Sequence, residues 1–150
     1  MGAFLAKAGH EVTLVDNVPD HVAAINDAGL RLTGPIAEFT ATVPAFTPET
    51  LRGTWETIIL ATKAHHTAGA VRSLLPHLAD DGCVVSAQNG LNELTIAEVV
   101  GEARTVGAFV NFGADYLEPG VLFYGGRGTV TVGEAFGPAV ARISPRVLAI

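Results

Sequence analysis

A chain of 150 residues that is 49% hydrophobic and only 16% charged has the size and composition of one globular domain with a buried core, which excludes a disordered tail or a coiled coil. A formal net charge of -6 and a pI near 5.2 argue against a general nucleic-acid or anionic-membrane binder, because both partners select basic stripes. The single cysteine, Cys83, cannot close an internal disulfide and no His/Cys cluster has zinc-site spacing, so a cytoplasmic protein without a structural metal is expected.

The opening MGAFLAKAGHEVTLVD lacks the basic-then-apolar order of a signal peptide, and no later run reaches the length of a membrane span. Residues 3–8 read as the tail of a helix capped by Gly9, so the chain is expected to begin within an element. Residues 11–15 form a short β-rich run ending in Asp16, and Pro19 to Ala28 carries a helical apolar stripe through Val22, Ala23 and Ile25. From Leu30 to Val43 the pattern is strand-like and broken by the turn signal Thr33-Gly34-Pro35. Residues 57–61 predict an apolar strand, 67–78 a helix, 83–87 a second apolar strand, and Asn92 caps a helix to about Val100 before a strand over 105–110. Residues 121–124 and 129–132 flank Gly125-Gly126-Arg127-Gly128, which reads as a hairpin turn, and Arg146 to Ile150 reads as the opening of a helix.

Apolar strands alternating with helices imply an α/β, Rossmann-like fold: a mainly parallel sheet with helices on both faces, ending in a C-terminal β-hairpin. The first strand and the G-x-G-x-x-G turn that holds a dinucleotide pyrophosphate are not found ahead of the first helix; Gly2 alone is read as an ordinary glycine. Residues 1–134 are therefore expected to be a truncated nucleotide-binding domain, with 135–150 starting a connection to a further domain.

Several polar residues stand where this fold takes ligands. Asp16 ends the second strand, where a carboxylate accepts ribose hydroxyls and repels a 2′-phosphate, and Asn17 follows where an NADP reader normally places an arginine. Asp16 serves equally well as the opening of a turn before Val18-Pro19. Lys63 follows the strand ending at Ala61, and its ammonium suits a carboxylate, a phosphate or a carbonyl, although many lysines at strand ends are merely solvated. Gln88-Asn89-Gly90 follows the next strand in the same way: Asn89 offers a donor and an acceptor, and Gly90 permits close approach of a ligand. Two successive strand ends carrying polar groups favour one shared crevice over a plain Asn-Gly turn. His65 and His66 lack a third ligand and are read as spectators, Asn111 is a weaker candidate for the same crevice, and Cys83 is read as an inert core thiol.

Taken in order, AKAGHEVTLVD, GLRLTGP, ATKAHHT, VVSAQNGLNE and GADYLEPGVLFYGGRGTVTVGE make the chain resemble the ketopantoate reductase family over nearly its whole length. The resemblance implies reduction of 2-dehydropantoate to pantoate with NADPH, with NAD left open by Asp16, and a small 2-keto acid as partner. It implies that Lys63 lies beside nicotinamide and substrate, that Asn89 contacts both, and that a following helical domain supplies a general-acid lysine and an acidic substrate-binding residue. The 150 residues alone are then expected to be nearly inactive. Reduction of a different 2-keto acid, and a non-catalytic degenerate nucleotide-binding module, are the alternatives, and a homodimer stays open.

Overall fold

In the computed structural model, which describes residues 1–137 and 143–150, the first helix stops where a glycine lets it. Helix α1 (Gly2–Lys7) runs into Gly9, whose φ of 96° lies in the left-handed region. There the Gly9 N–H donates to the Ala6 carbonyl at 3.0 Å and the His10 N–H to the Leu5 carbonyl at 3.1 Å, the paired closure of a glycine-capped helix. The chain continues through β1 (Leu14–Val15), α2 (Pro19–Ala28), β2 (Leu30–Thr33), β3 (Phe39–Ala41), β4 (Ala45–Phe46), β5 (Trp55–Leu60), α3 (Thr67–Leu74), β6 (Leu78–Ser86), α4 (Asn92–Val100), β7 (Thr105–Glu118), β8 (Val121–Glu134) and α5 (Pro145–Ala149). These elements divide into two units: Met1–Leu51 with Phe112–Gly128, and Arg52–Asn111 with Thr129–Ile150.

In the first unit, β2 pairs antiparallel with β3 and parallel with β8, while β1 and β4 form a separate parallel pair, Leu14 opposite Ala45. Its core gathers Ala3 of α1, Val22 and Ile25 of α2, Leu30 and Leu32 of β2, and Ala41, Val43 and Ala45. The expected turn after β2 is present: Gly34 has φ 125°, and a Cβ there would lie 2.5 Å from the Tyr124 carbonyl oxygen. Helix α2 is tied to β4 through one side chain. The Asn26 amide donates to the Ala45 carbonyl at 2.8 Å and accepts from the Ala45 N–H at 2.9 Å, as a neighbouring strand would. Asn26→Ala strands both Ala45 groups and is expected to destabilise the fold by about 1–3 kcal/mol in urea unfolding, while Asn26→Asp, which keeps the acceptor alone, loses less.

In the second unit, β5, β6 and β7 are parallel neighbours. Stepping in one direction through crossovers of one hand puts both connecting helices on one face. There Val71 of α3 and Ile96 and Val100 of α4 pack on Leu60 and Val84. The alternate residues Cys83, Val85, Val106 and Ala108 face the other way and meet Val132 of β8 and Val147 of α5. Pairing shifts register between Trp55↔Leu78 and Thr57↔Cys83, and Arg104 holds the intervening stretch by donating to the carbonyls of Gly82 at 2.9 Å and Ala79 at 2.5 Å.

Helix α5 is pinned from its first turn. The Ser144 hydroxyl caps the Val147 N–H at 3.3 Å, and Glu134 accepts from Ser144 and from Nε and Nη2 of the Arg146 guanidinium. The Arg146 hydrogen bonds hold the Glu134 carboxyl below the usual glutamate range. A depressed folded-state value means that this contribution is fully present above the ordinary glutamate pKa and is lost as pH falls through the folded one. Hydrogen-exchange protection of residues 145–149 is therefore expected to hold steady above the ordinary glutamate pKa and to fall as pH drops below it, and Glu134→Gln to lose that dependence.

Five expectations are corrected. The strand expected over 11–15 is confined to Leu14–Val15, because its partner β4 offers only two residues. The helix expected to reach residue 78 ends at Leu74 and tightens into a 3-10 turn, Leu75–His77, since Pro76 has no N–H to extend it. The strand expected over 105–110 runs to Glu118, and its hairpin with β8 turns at Pro119-Gly120, where Gly120 has φ 77° as a type II turn requires. Gly125, Gly126 and Gly128 are not a turn; they lie inside β8, and none has positive φ. Asn92 is the first helical residue and makes no cap bond. Of the expected connection over 135–150, residues 138–142 lie outside the described residues. Among the described residues no helix is long and apolar enough to cross a membrane.

Candidate active site

Strands β5 and β6 end level with each other, because the register pairs Leu60 with Ser86 and the Ala87 N–H donates back to the Leu60 carbonyl at 2.8 Å. The carboxyl ends of parallel strands are where open α/β sheets take their ligands. The loop leaving β5 carries Lys63, extended at φ -64° and ψ 145° before a 3-10 turn over Ala64–His66. The loop leaving β6 carries Asn89 and then Gly90, whose φ of 102° requires a glycine. Lys63 and Asn89 are both exposed, and neither side chain forms an ion pair or hydrogen bond with the described residues, so both are free to meet a ligand.

Beneath these two exposed groups the loops are fastened by buried polar side chains. Gln88 donates from Nε2 to the Thr62 carbonyl at 2.7 Å and to the Thr67 hydroxyl at 2.9 Å. The Thr67 hydroxyl lies 2.8 Å from the Ala64 carbonyl and 3.2 Å from Asn92 Oδ1, and Asn92 Nδ2 donates to the Asn89 carbonyl at 2.8 Å. Thr67 is 1% exposed, Gln88 7% and Asn92 8%. An ammonium and a carboxamide carried on the loops after two adjacent strand ends can hold a carboxylate and polarise a carbonyl.

Structure thus brings Lys63 and Asn89 to neighbouring strand ends and places Asp16 and Asn17 in the first unit. There Asp16 opens the turn, accepting the Val18 N–H on Oδ1 at 2.9 Å, and its second oxygen keeps its capacity to accept. Helix α1 lies against β1, where a Cβ on Gly2 would meet the tip of the Leu14 side chain, Cδ2, at 2.6 Å. Asn111 is exposed on β7. The His65 and His66 rings lie with centroids 4.0 Å apart, tilted 51° to each other, and among the described residues no group of three or more His, Cys, Asp or Glu could hold a metal ion. Burial pushes the Cys83 thiol up, which suits an unreactive core side chain. Thr67 and Asn92 were not singled out as parts of the site, since a buried polar residue looks in sequence like any surface one.

A profile described as Ketopantoate reductase PanE/ApbA matches residues 1–137. The chain is 38% identical over 138 residues to a 2-dehydropantoate 2-reductase of Pyrococcus abyssi, covering 88% of this chain and 42% of that one. A crystal structure of a PanE/ApbA family ketopantoate reductase from Ralstonia eutropha JMP134 superposes with a TM-score of 0.79 at 32% identity, over 87% of this chain and 44% of that chain. The fold is shared with D-mandelate dehydrogenase, solved with NADH and anilino(oxo)acetate, at a TM-score of 0.83 and 24% identity over 93% of this chain and 45% of that one. The chain therefore spans less than half the length of these relatives.

Proposed function

Because this chain belongs to the ketopantoate reductase family, we propose that it supplies the nucleotide-binding part of an enzyme that reduces 2-dehydropantoate to pantoate with NADPH, a step of pantothenate biosynthesis. The observation that carries the reading is the pair of free polar groups, Lys63 and Asn89, on the level ends of two parallel strands. When bound, the reduced nicotinamide supplies a hydride for the keto carbon. Lys63 draws the substrate's carboxylate or carbonyl oxygen by charge, and the Asn89 carboxamide donates a hydrogen bond that fixes its orientation. The proton for the new hydroxyl is assigned to the helical domain implied by the family, to which residues 135–150 would lead from the nucleotide-binding domain of residues 1–134.

A second reading of the cofactor rests on Asp16. Its free carboxylate oxygen and the neutral Asn17 fit an unphosphorylated ribose, so NADH is the alternative they favour. Steady-state rates with the gene's full product test both points at once. The reading expects ketopantoate to give a kcat/KM at least about tenfold above other branched 2-keto acids, each tenfold corresponding to about 1.4 kcal/mol of discrimination. A better alternative keto acid overturns the substrate, a higher kcat/KM with NADH overturns the cofactor, and no turnover with any 2-keto acid overturns the reading.

A further inference from the structure

We propose that Gln88 is a positioning residue for Lys63, one buried amide holding both ends of the segment that carries the ammonium. This rests on the reading of Lys63 as the substrate-facing cation. Thr62 and Thr67 bracket the segment Lys63–His66, and Gln88 Nε2 reaches the Thr62 carbonyl at 2.7 Å, the Thr62 hydroxyl at 3.2 Å and the Thr67 hydroxyl at 2.9 Å. The amide orientation is fixed by chemistry, since only a donor can face the Thr62 carbonyl. Through Thr67 and Asn92 the same network extends to the Asn89 carbonyl, so both loops share one base.

Two observations separate this role from ordinary core packing. Lys63 is exposed and gains no hold from its own side chain, so its placement falls to the backbone on either side of it. Gln88 Oε1, in contrast, is buried without a partner, a cost that a residue kept for stability alone would not carry. An apolar side chain of the same length, methionine, would remove that cost together with the clamp.

The test uses Gln88→Met in the gene's full product. Expected, at a temperature where both proteins are fully folded, are a kcat for the 2-keto acid lower by roughly ten- to a hundredfold, the range that a misplacement of about 1 Å gives, and an unchanged KM for the nicotinamide cofactor. Amide exchange over residues 63–67 of the unliganded protein should accelerate at least about tenfold as the clamp is lost. Wild-type kcat and wild-type exchange in the variant overturn the proposal, as does a kcat loss that merely tracks a fall in melting temperature. If the wild type turns over no 2-keto acid, the functional reading fails, and unchanged exchange in Gln88→Met then overturns the clamp on its own evidence.

Discussion

On the proposed function, Lys63→Ala in the gene's full product is expected to lower kcat/KM for 2-keto acid reduction by roughly 10²- to 10⁴-fold, the range over which single charge-stabilising or proton-handling groups act. The side chain is exposed and unpaired, so its removal leaves no buried group unsatisfied, and the melting temperature should stay within about a degree of wild type, as for surface substitutions that leave stability unchanged within about 0.5 kcal/mol. Lys63→Arg keeps the charge but replaces a compact ammonium by a broad planar fork, and recovers only part of the rate. Stopped-flow traces of nicotinamide oxidation under single-turnover conditions measure the chemical step itself. A single-turnover rate within threefold of wild type would remove Lys63 from the chemistry.

The second large effect is on stability. Ile96→Ala is expected to destabilise the protein by about 2–5 kcal/mol, the usual range for truncating a large aliphatic side chain in a core, against a total of about 5–15 kcal/mol for a domain. Ile96 is 0% exposed and belongs to the cluster of Leu60, Val71, Val84 and Val100 that seats α3 and α4 on the sheet. Ile96→Val removes one methylene and should cost about 0.5–1.5 kcal/mol. Because Asn92 lies one turn earlier on α4, the alanine variant should also loosen the hold on the Asn89 carbonyl. Urea denaturation of the three proteins decides the matter, and an alanine cost below about 1 kcal/mol would mean that the site had collapsed around the cavity.

Local chemistry made much of this legible in the sequence. Pro19 at the start of α2, the turn at Gly34 and the glycine closing α1 are each decided within a few residues, and each was expected where it stands. So were the strand ends that carry Lys63 and Asn89, because an apolar run followed by a polar residue needs no long-range information. The misplaced turn shows the limit. Gly125-Gly126-Arg127-Gly128 has the composition of a loop, yet its backbone is extended in the long hairpin strand β8, where pairing overrides propensity. Pro119-Gly120 carried the better turn signal, fixed φ followed by left-handed freedom. The fastening beneath the site was illegible for another reason: Thr67, Gln88 and Asn92 are polar, and only tertiary contact shows that they are buried and bonded to one another.

The 150 residues contain two lysines, Lys7 and Lys63, and this makes the central claim directly measurable. Lys7 Nζ sits over the Phe39 ring at 4.2 Å in the first unit, and Lys63 stands free at the end of β5. Amine acetylation of the full gene product, followed by peptide mass spectrometry, gives both rates in one experiment, with and without NADPH and pantoate together. A site at the two strand ends predicts that the ligands slow acetylation of Lys63 several-fold and leave Lys7 unchanged, whereas equal rates at Lys63 under saturating ligands would contradict it.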